Sequence, residues 1–322
     1  MAVFVQRIRR VDFQKYGAVF ALIVLFALSA ILSPYFLQYQ NLVNILRQVS
    51  YTGIIALGMT FIIIAGGIDL SVGSMVAIVG AILVVAINWL LPVFQSELLV
   101  ILAVAALALI LGFAGGAMNG VMVTKGRIAP FIVTLGTMAI FRSLTLYFGN
   151  AGEFRSKSEM FGNLGMGSYL YMPIPVWVML VLAVLMNAAL NNTRYGRYIC
   201  AVGSNSRVAM FSAISVDRVR FFTYVITGVV VGVSSFLLTA RFNAVSSTNV
   251  GMGFELDAIA AVIVGGTTLS GGRGTIWGTI IGAVILGIIN NMLNMIGISP
   301  YLQGTVKGLV IIGAVYIQRQ RA

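Results

Sequence analysis

Long apolar stretches alternate with short polar or glycine-containing segments along the whole chain. A helix needs roughly 20 apolar residues to cross a hydrocarbon core of about 30 Å, and most of these stretches approach that length. The pattern predicts ten membrane-spanning helices, at about residues 17–32, 44–65, 72–91, 98–123, 128–148, 174–190, 221–240, 256–269, 276–295 and 302–317. The eighth is short for a span. We therefore expect an all-α integral membrane protein forming a single transmembrane domain over residues 1–322.

The composition excludes a soluble globular protein. Of the 322 residues, 60% are hydrophobic and 9% are charged, whereas soluble domains carry about 25% charged residues. The formal net charge of +12 would suggest nucleic-acid binding in a soluble protein. Here the basic residues lie between apolar segments, where membrane orientation and anionic lipid headgroups explain them. We expect contact with membrane lipid and no nucleic-acid partner.

The sequence offers little for catalysis or for metal binding. It contains no histidine and a single cysteine, Cys200, so the commonest general base and the usual nitrogen and sulfur ligand sets are absent. No nucleophile with an evident base replaces them. We expect no catalytic residue, no metal and no cofactor.

One loop carries much of the charge that sets orientation. Residues 193–220 hold five arginines against Asp217, and loops rich in Lys and Arg stay on the cytoplasmic side of a membrane. The basic tail at residues 1–16 predicts the same side, so both termini are expected in the cytoplasm. Residues 149–173 are nearly neutral and are expected outside.

A glycine-containing segment occurs twice in the chain. Residues 64–73 align without gaps to residues 263–272 with six identities in ten, pairing Gly66 and Gly67 with Gly265 and Gly266. Duplicated segments are common in transporters and often lie on the pathway, although two apolar, glycine-rich stretches can also resemble each other by chance. With ten spans the two copies run parallel, whereas a re-entrant segment would make them inverted.

Asp69 follows the first glycine pair and is the strongest candidate for a functional polar residue in the membrane region. Ionisable groups are costly there and often functional, so Asp69 and Ser71 are candidates for the transport pathway. The same carboxylate could instead cap the helix that follows, where it would accept backbone N–H groups.

Uncharged polar groups inside predicted spans form a second set of pathway candidates. They are Asn119, Asn290, Asn291 and Asn294. Asparagine amides can bind sugar hydroxyls, but they also join helices to each other, and the sequence leaves both readings open.

Two acids and a second glycine group have structural interpretations. Glu255 and Asp257 are two residues apart and would diverge around a helix, so a role in its first turn is favoured over paired acid–base chemistry. The glycines at residues 265–274 lack the Gly-Lys-Ser/Thr ending of a phosphate-binding loop. Lys307 could either reach the membrane surface or pair with a carboxylate.

Several motifs, in the same order, resemble those of permease subunits of ribose-type monosaccharide ABC importers. The motifs are GGIDLSVGS at residues 66–74, TRYGR at 193–197, AVGSN at 201–205, FELDAIAA at 254–261, and GGT with LSGG within 265–272. The resemblance covers roughly residues 17–317 and implies the fold of an ABC importer permease. It also implies a transport subunit of the bacterial cytoplasmic (inner) membrane instead of an enzyme.

The resemblance further implies partners and a coupling segment. The partners would be a second copy of the chain, an ATP-binding subunit with two nucleotide-binding domains, and a periplasmic or lipid-anchored sugar-binding protein. The sugar path would lie at or near the dimer interface. A short helix within residues 205–216 would couple to the ATPase through Asn205, Ser206, Arg207, Ala209, Met210, Phe211, Ala213 and Ile214.

Two residues of the coupling segment depart from the family pattern. The family usually has an acid where Ser206 stands and a glycine where Ala213 stands, which implies a matched, non-standard ATPase cleft. The cargo stays open among ribose, another pentose, a hexose and a furanose. A permease for branched-chain amino acids or another small solute, and a carrier that works alone, are the alternative functions.

Overall fold

The computed structural model describes residues 13–319, so nearly all of the predicted basic tail lies outside the described part. Its helices are α1 (Phe13–Leu32), α2 (Tyr39–Ile64), α3 (Val72–Phe94), α4 (Glu97–Thr124), α5 (Pro130–Gly149), α6 (Glu159–Met166), α7 (Ile174–Asn192), α8 (Arg194–Ser204), α9 (Ser206–Phe211), α10 (Val216–Phe242), α11 (Phe254–Val264), α12 (Ile276–Met295) and α13 (Pro300–Arg319). The strands are β1 (Glu153–Arg155), β2 (Ser168–Tyr169), β3 (Met172–Pro173) and β4 (Ala244–Ser246).

Seven of the described helices are long and apolar enough to cross a membrane, which confirms the helical membrane class. They are α2, α3, α4, α5, α7, α10 and α12. The other three predicted spans are also helical, but α1 is apolar only over Gly17–Leu32, α11 has 11 residues, and α13 is not among the seven. The predicted count of ten spans is therefore not confirmed by length and composition.

Residues 149–173 contain more structure than their polar composition predicts. β1 pairs antiparallel with β4, with Glu153 opposite Ser246, and β2 and β3 form a two-stranded hairpin. The helix α6 follows β1 and precedes β2 in the chain. It is capped by Ser158, whose hydroxyl accepts the N–H of Phe161 at 3.1 Å. These elements cover the same end of the bundle as β4.

The buried helix α2 organises the core and runs antiparallel to α12. Near the end of α2, the hydroxyl groups of Thr60 and Thr279 lie 2.8 Å apart. Near its beginning, the amides of Asn41 and Asn291 exchange two hydrogen bonds, of 3.2 and 2.7 Å. These contacts fix the register of the two helices over about five turns.

Glycines allow α4 and α10 to pack at the closest possible distance. A Cβ atom at Gly112 would overlap the carbonyl of Gly228, and one at Gly116 would overlap the carbonyl of Tyr224. Small residues let helix backbones approach closely in lipid, and here they place α4 directly against α10.

The two glycine-containing segments end α2 and α11 with the same backbone turn. Gly66 and Gly266 have left-handed φ values of 78° and 94°, and the next N–H groups, of Gly67 and Thr267, each reach a carbonyl five residues back, at 2.9 and 3.1 Å. The turns thus match Gly66 with Gly266, one residue away from the sequence alignment. Since α2 and α11 both run antiparallel to α12, the two segments are parallel.

Candidate functional site

The bundle has two chemically different ends. The end that carries α8 and α9, called the α9 end, also holds the termination of α2 and the beginning of α12. The opposite end, called the β4 end, carries β1, β4 and the beginning of α2. Each end contains one candidate site, and a buried polar network lies in the segment that follows the termination of α2.

The buried network is built on Asp69. One of its carboxylate oxygens accepts the backbone N–H of Ser71 at 2.8 Å and the Ser71 hydroxyl at 2.7 Å. The amide of Asn119 donates to the Ser71 hydroxyl at 2.8 Å and lies 3.4 Å from the other carboxylate oxygen. The network therefore ties the segment between α2 and α3 to α4.

All three residues of this network are buried. Asp69 is 1% exposed, and Ser71 and Asn119 are fully covered. Asp69 does accept a backbone N–H, as a capping residue would, but from the residue immediately before α3 and not from its first turn. None of the three lines the large cavity described below.

At the α9 end, a short helix forms within residues 205–216, as predicted. Asn205 begins it, because its side-chain oxygen accepts the N–H groups of Arg207 and Val208 at 3.0 and 3.1 Å. Phe211 is 86% exposed, and Met210 and Val208 are also exposed. An apolar surface on a helix outside the spans is typical of a docking contact.

The remaining predicted coupling residues support this helix. Ala209 is buried, and Ser206 and Ile214 are half-buried. Ala213 ends the helix with a φ of 60°, a left-handed conformation that favours glycine. The departure from the family pattern at this position therefore falls where the backbone conformation is least suited to alanine.

Backbone contacts connect α8 to the termination of α2. The carbonyl of Ile64 accepts the N–H of Gly272 at 2.8 Å, and a Cβ atom at Gly203 would overlap that same carbonyl. On the other side of α8, Tyr195 donates to the carbonyl of Val219 at 3.1 Å, and burial raises the pKa of its hydroxyl. A displacement of α8 would therefore move the end of α2 and the loop before α12.

At the β4 end lies a cavity of about 580 Å³ between α2, α10, α11 and α12. Its polar lining residues are Gln48, Tyr51, Thr52, Glu153, Arg241, Ser246, Asn249, Asp257 and Asn290. The rest of its wall is apolar, from residues such as Val49, Leu238, Phe254 and Leu286. Cavities of about 300–1,000 Å³ with an apolar wall and a few polar groups are typical of small-molecule sites.

The three asparagines of α12 have different environments. Asn291 pairs with Asn41, and Asn294 accepts from Gln303 at 2.7 Å. Asn290 lines the cavity, and its buried side-chain oxygen has no hydrogen-bond partner among residues 13–319. The first two join elements of the protein, whereas the third faces the cavity.

The two acids at the beginning of α11 diverge, as their spacing predicts. Asp257 lines the cavity and pairs with Lys307 of α13, with the Lys307 nitrogen 2.8 and 2.9 Å from the two carboxylate oxygens. Glu255 points to the opposite side, where its carboxylate fills the space beside Gly73 of α3. The open question about Lys307 is thus answered by an ion pair.

Three arginines of this region were not among the sequence candidates. Arg241 lies 5.6 Å from the ring of Tyr51 and 5.1 Å from that of Phe242. Arg142 donates to the carbonyls of the loop before α11 at 3.2 and 2.9 Å, and Arg47 is buried. In the sequence these arginines were recognisable as charged residues inside or at the edge of a predicted span. Charged residues are costly there and are often functional.

Comparison with known proteins identifies the family. Residues 41–315 match the family described as "Branched-chain amino acid transport system / permease component". The chain is 42% identical over 305 residues to the ribose import permease protein RbsC of Escherichia coli K12, covering 94% of this chain and 92% of that protein. It is 41% identical to RbsC of Bacillus subtilis, covering 96% and 94% of the two chains, and 38% identical to the D-allose transport system permease protein AlsC of E. coli, covering 95% and 91%. No solved structure matches the chain.

Proposed function

Since the chain belongs to the family of branched-chain amino acid transport system permease components, we propose that it is the membrane subunit of an ATP-driven importer of a monosaccharide. The observation that carries this proposal is 42% identity to a ribose import permease over 94% of the chain. Related allose and arabinose permeases match over similar lengths. Ribose or a sugar of similar size is therefore the cargo we propose.

The distribution of charge supports an orientation with the α9 end in the cytoplasm. Basic residues at that end include Lys125, Arg127, Arg194, Arg197, Arg207, Arg218, Arg220 and Arg273. A bias of this kind marks the cytoplasmic side. In this arrangement α1, α11 and α13 complete a set of ten crossings, α11 as a short one, and both termini lie inside.

The exposed apolar face of α9 supports its role as the contact for an ATP-binding subunit with two nucleotide-binding domains. Phe211 and Met210 would enter a cleft of that subunit, and Arg207 lies exposed beside them. The β4 end would receive a periplasmic or lipid-anchored sugar-binding protein. A second copy of the chain would complete the pathway, with the two packings of the dimer exposing it alternately to each side.

The contacts of α8 give this coupling a physical route. A displacement of α9 is transmitted directly to the adjacent helix α8. The helix α8 in turn contacts the termination of α2 through Gly203 and Ile64. The same carbonyl bonds to Gly272, close to the beginning of α12. Because α2 and α12 both border the cavity, movement at the α9 end can change the cavity's shape.

The two parallel glycine turns support an internal duplication at the ends of α2 and α11. Each turn ends a helix near the α9 end, as expected for segments that bend during transport. Of the six predicted pathway residues, Asn290 is the one that lines the cavity. A pathway role for Asp69, Ser71 and Asn119 would require their buried network to open, and it stays a prediction.

The coupling assignment is tested by the double substitution Asn205→Asp and Arg207→Glu. Aspartate begins a helix as well as asparagine does, so α9 should persist while the charge of its exposed face is reversed. We expect co-purification with the ATPase encoded beside this permease to be lost. The matched control is Asn191→Asp with Arg194→Glu, which makes the same charge change on the exposed surface where α7 ends and α8 begins. Unchanged co-purification of the α9 variant would contradict the coupling role.

A further inference from the structure

Two residues that line the cavity at the β4 end, Tyr51 and Asn290, have a buried side-chain oxygen without a hydrogen-bond partner in the described part of the chain. The side-chain oxygen of Asn290 is buried, lies in a residue that lines the cavity, and has no hydrogen-bond partner within the described part of the chain. Buried polar groups are nearly always paired, because an unpaired one is costly. Its neighbour Asn291 is satisfied by Asn41, so the absence of a partner is specific to the cavity side of α12.

Two further polar groups of the cavity are held in place by their neighbours. The carboxylate of Asp257 is fixed by Lys307, with both oxygens within 2.9 Å of its nitrogen. The guanidinium of Arg241 lies against the rings of Tyr51 and Phe242, and among residues 13–319 no carboxylate lies within ion-pair distance of it. The cavity thus presents ordered acceptors and an ordered donor instead of mobile surface groups.

We propose that this cavity is a monosaccharide site within the permease itself. Asn290 and Asp257 accept hydrogen bonds from sugar hydroxyls, and Arg241 donates to them. The apolar wall provided by residues such as Leu238 and Phe254 covers the carbon face of the ring. This inference rests on the proposed function, because it assigns the cavity as the site that binds the sugar after its release from the binding protein.

The charges of the cavity favour a neutral polyol over an amino acid. An ammonium group requires a carboxylate free to pair with it, but both carboxylates that line the cavity are already paired, Asp257 with Lys307 at 2.8 Å and Glu153 with Arg155 at 3.3 Å. A sugar hydroxyl needs only an acceptor, and a paired carboxylate keeps acceptor capacity for it. A lipid chain would leave the Asn290 oxygen unpaired.

The test is a titration of the full chain in lipid nanodiscs with D-ribose, followed by saturation-transfer NMR, with D-allose, L-arabinose and leucine as comparison ligands. Asn290→Ala removes an amide oxygen that makes no bond within the protein, so we expect an unchanged melting temperature and a ribose Kd raised about fivefold or more, as for one lost hydrogen bond. Asn41→Ala is the control. It breaks the amide pair outside the cavity, and should lower the melting temperature with a ribose Kd within about twofold of wild type.

Three results would overturn the inference. They are no ribose binding by the wild-type chain, an Asn290→Ala variant that binds ribose as the wild type does, and leucine binding more tightly than ribose. ATPase activity of the assembled wild-type complex separates these from failure of the proposed function. Stimulation by ribose would leave the importer standing and refute only the site, whereas stimulation by leucine and not by any sugar would refute both.

Discussion

Ala213 holds a left-handed conformation that suits glycine. Its φ is 60°, and a Cβ atom in this conformation costs about 1 kcal/mol. The residue ends α9 directly beside the surface proposed to bind the ATPase. Alanine here therefore stiffens the end of that helix at the expense of stability.

We expect Ala213→Gly to raise the free energy of unfolding by about 0.5 kcal/mol, because removal of the strained Cβ outweighs the extra freedom that glycine gives the unfolded chain. Thermal unfolding of the purified protein, followed by size-exclusion chromatography, checks this. The same substitution in the middle of α8, Ala201→Gly, should lower stability by about 0.5–1 kcal/mol. A loss of stability at Ala213 would contradict the conformation assigned to it.

One substitution separates the two roles open to Asp69, which are support of the buried network and contact with cargo. Asp69→Ala leaves the buried N–H and hydroxyl of Ser71 without their acceptor, which should cost about 2–4 kcal/mol. Asp217→Ala, at an exposed acid in the first turn of α10, should cost less than about 1 kcal/mol. If Asp69→Ala unfolds like the wild type but no longer transports, the pathway role is right and the structural one is wrong.

The residue types of these sites were visible in the sequence, but their partners were not. Asn290, Asn291 and Asn294 cannot be told apart by spacing alone, since only the packing of α12 decides which amide meets Asn41, which meets Gln303 and which faces a cavity. Arg241 was visible as a charge at the end of a span. Its importance depends on Tyr51, 190 positions earlier in the chain.

At the scale of elements, α8 is the connection between the two functional ends. Its contact with α2 depends on Gly203, where any side chain would collide with the carbonyl of Ile64 and the N–H of Gly272. Both colliding groups are backbone, which cannot rotate out of the way as a side chain can. The contact therefore tolerates only glycine.

We expect Gly203→Ala to separate α8 from the termination of α2 and to lower stability by about 1–3 kcal/mol, as overpacking does. It should also weaken the dependence of ATPase activity on sugar, because the proposed route of coupling passes through this contact. Gly136→Ala in α5 is the control, since no atom lies within 4 Å of the added Cβ, and it should be neutral or slightly stabilising. Coupling and stability like those of the wild type in Gly203→Ala would refute the route.

Hydrophobic length predicted the helices of the apolar stretches, including the short α11, and missed the elements in polar sequence. An uninterrupted apolar stretch must form a helix in lipid because every backbone group needs a partner, so the seven long spans follow from the sequence. The helix α6 and the β1–β4 pair were not predicted. Their formation depends on tertiary contacts, such as the backbone pairing of residues 153–155 with 244–246, which no local pattern encodes.

At the scale of the molecule, the exposed helix α9, the glycine contact of α8 and the polar cavity at the opposite end are connected through α2 and α12. The family motifs predicted the class of protein and the presence of a short helix at the position of α9 from sequence alone. The cavity was not predicted, because it forms where four helices from distant parts of the chain meet. This connection accounts for an importer in which work at one end changes a site at the other.

The central claim is best tested by uptake of radiolabelled D-ribose into proteoliposomes containing this permease with its ATPase, supplied with the binding protein outside and ATP inside. We predict ribose accumulation that requires all three proteins and ATP, and that is lost with Asn205→Asp and Arg207→Glu. Ribose flux through the permease alone, down its gradient and without ATP, would contradict the account and identify the chain as a carrier that works by itself.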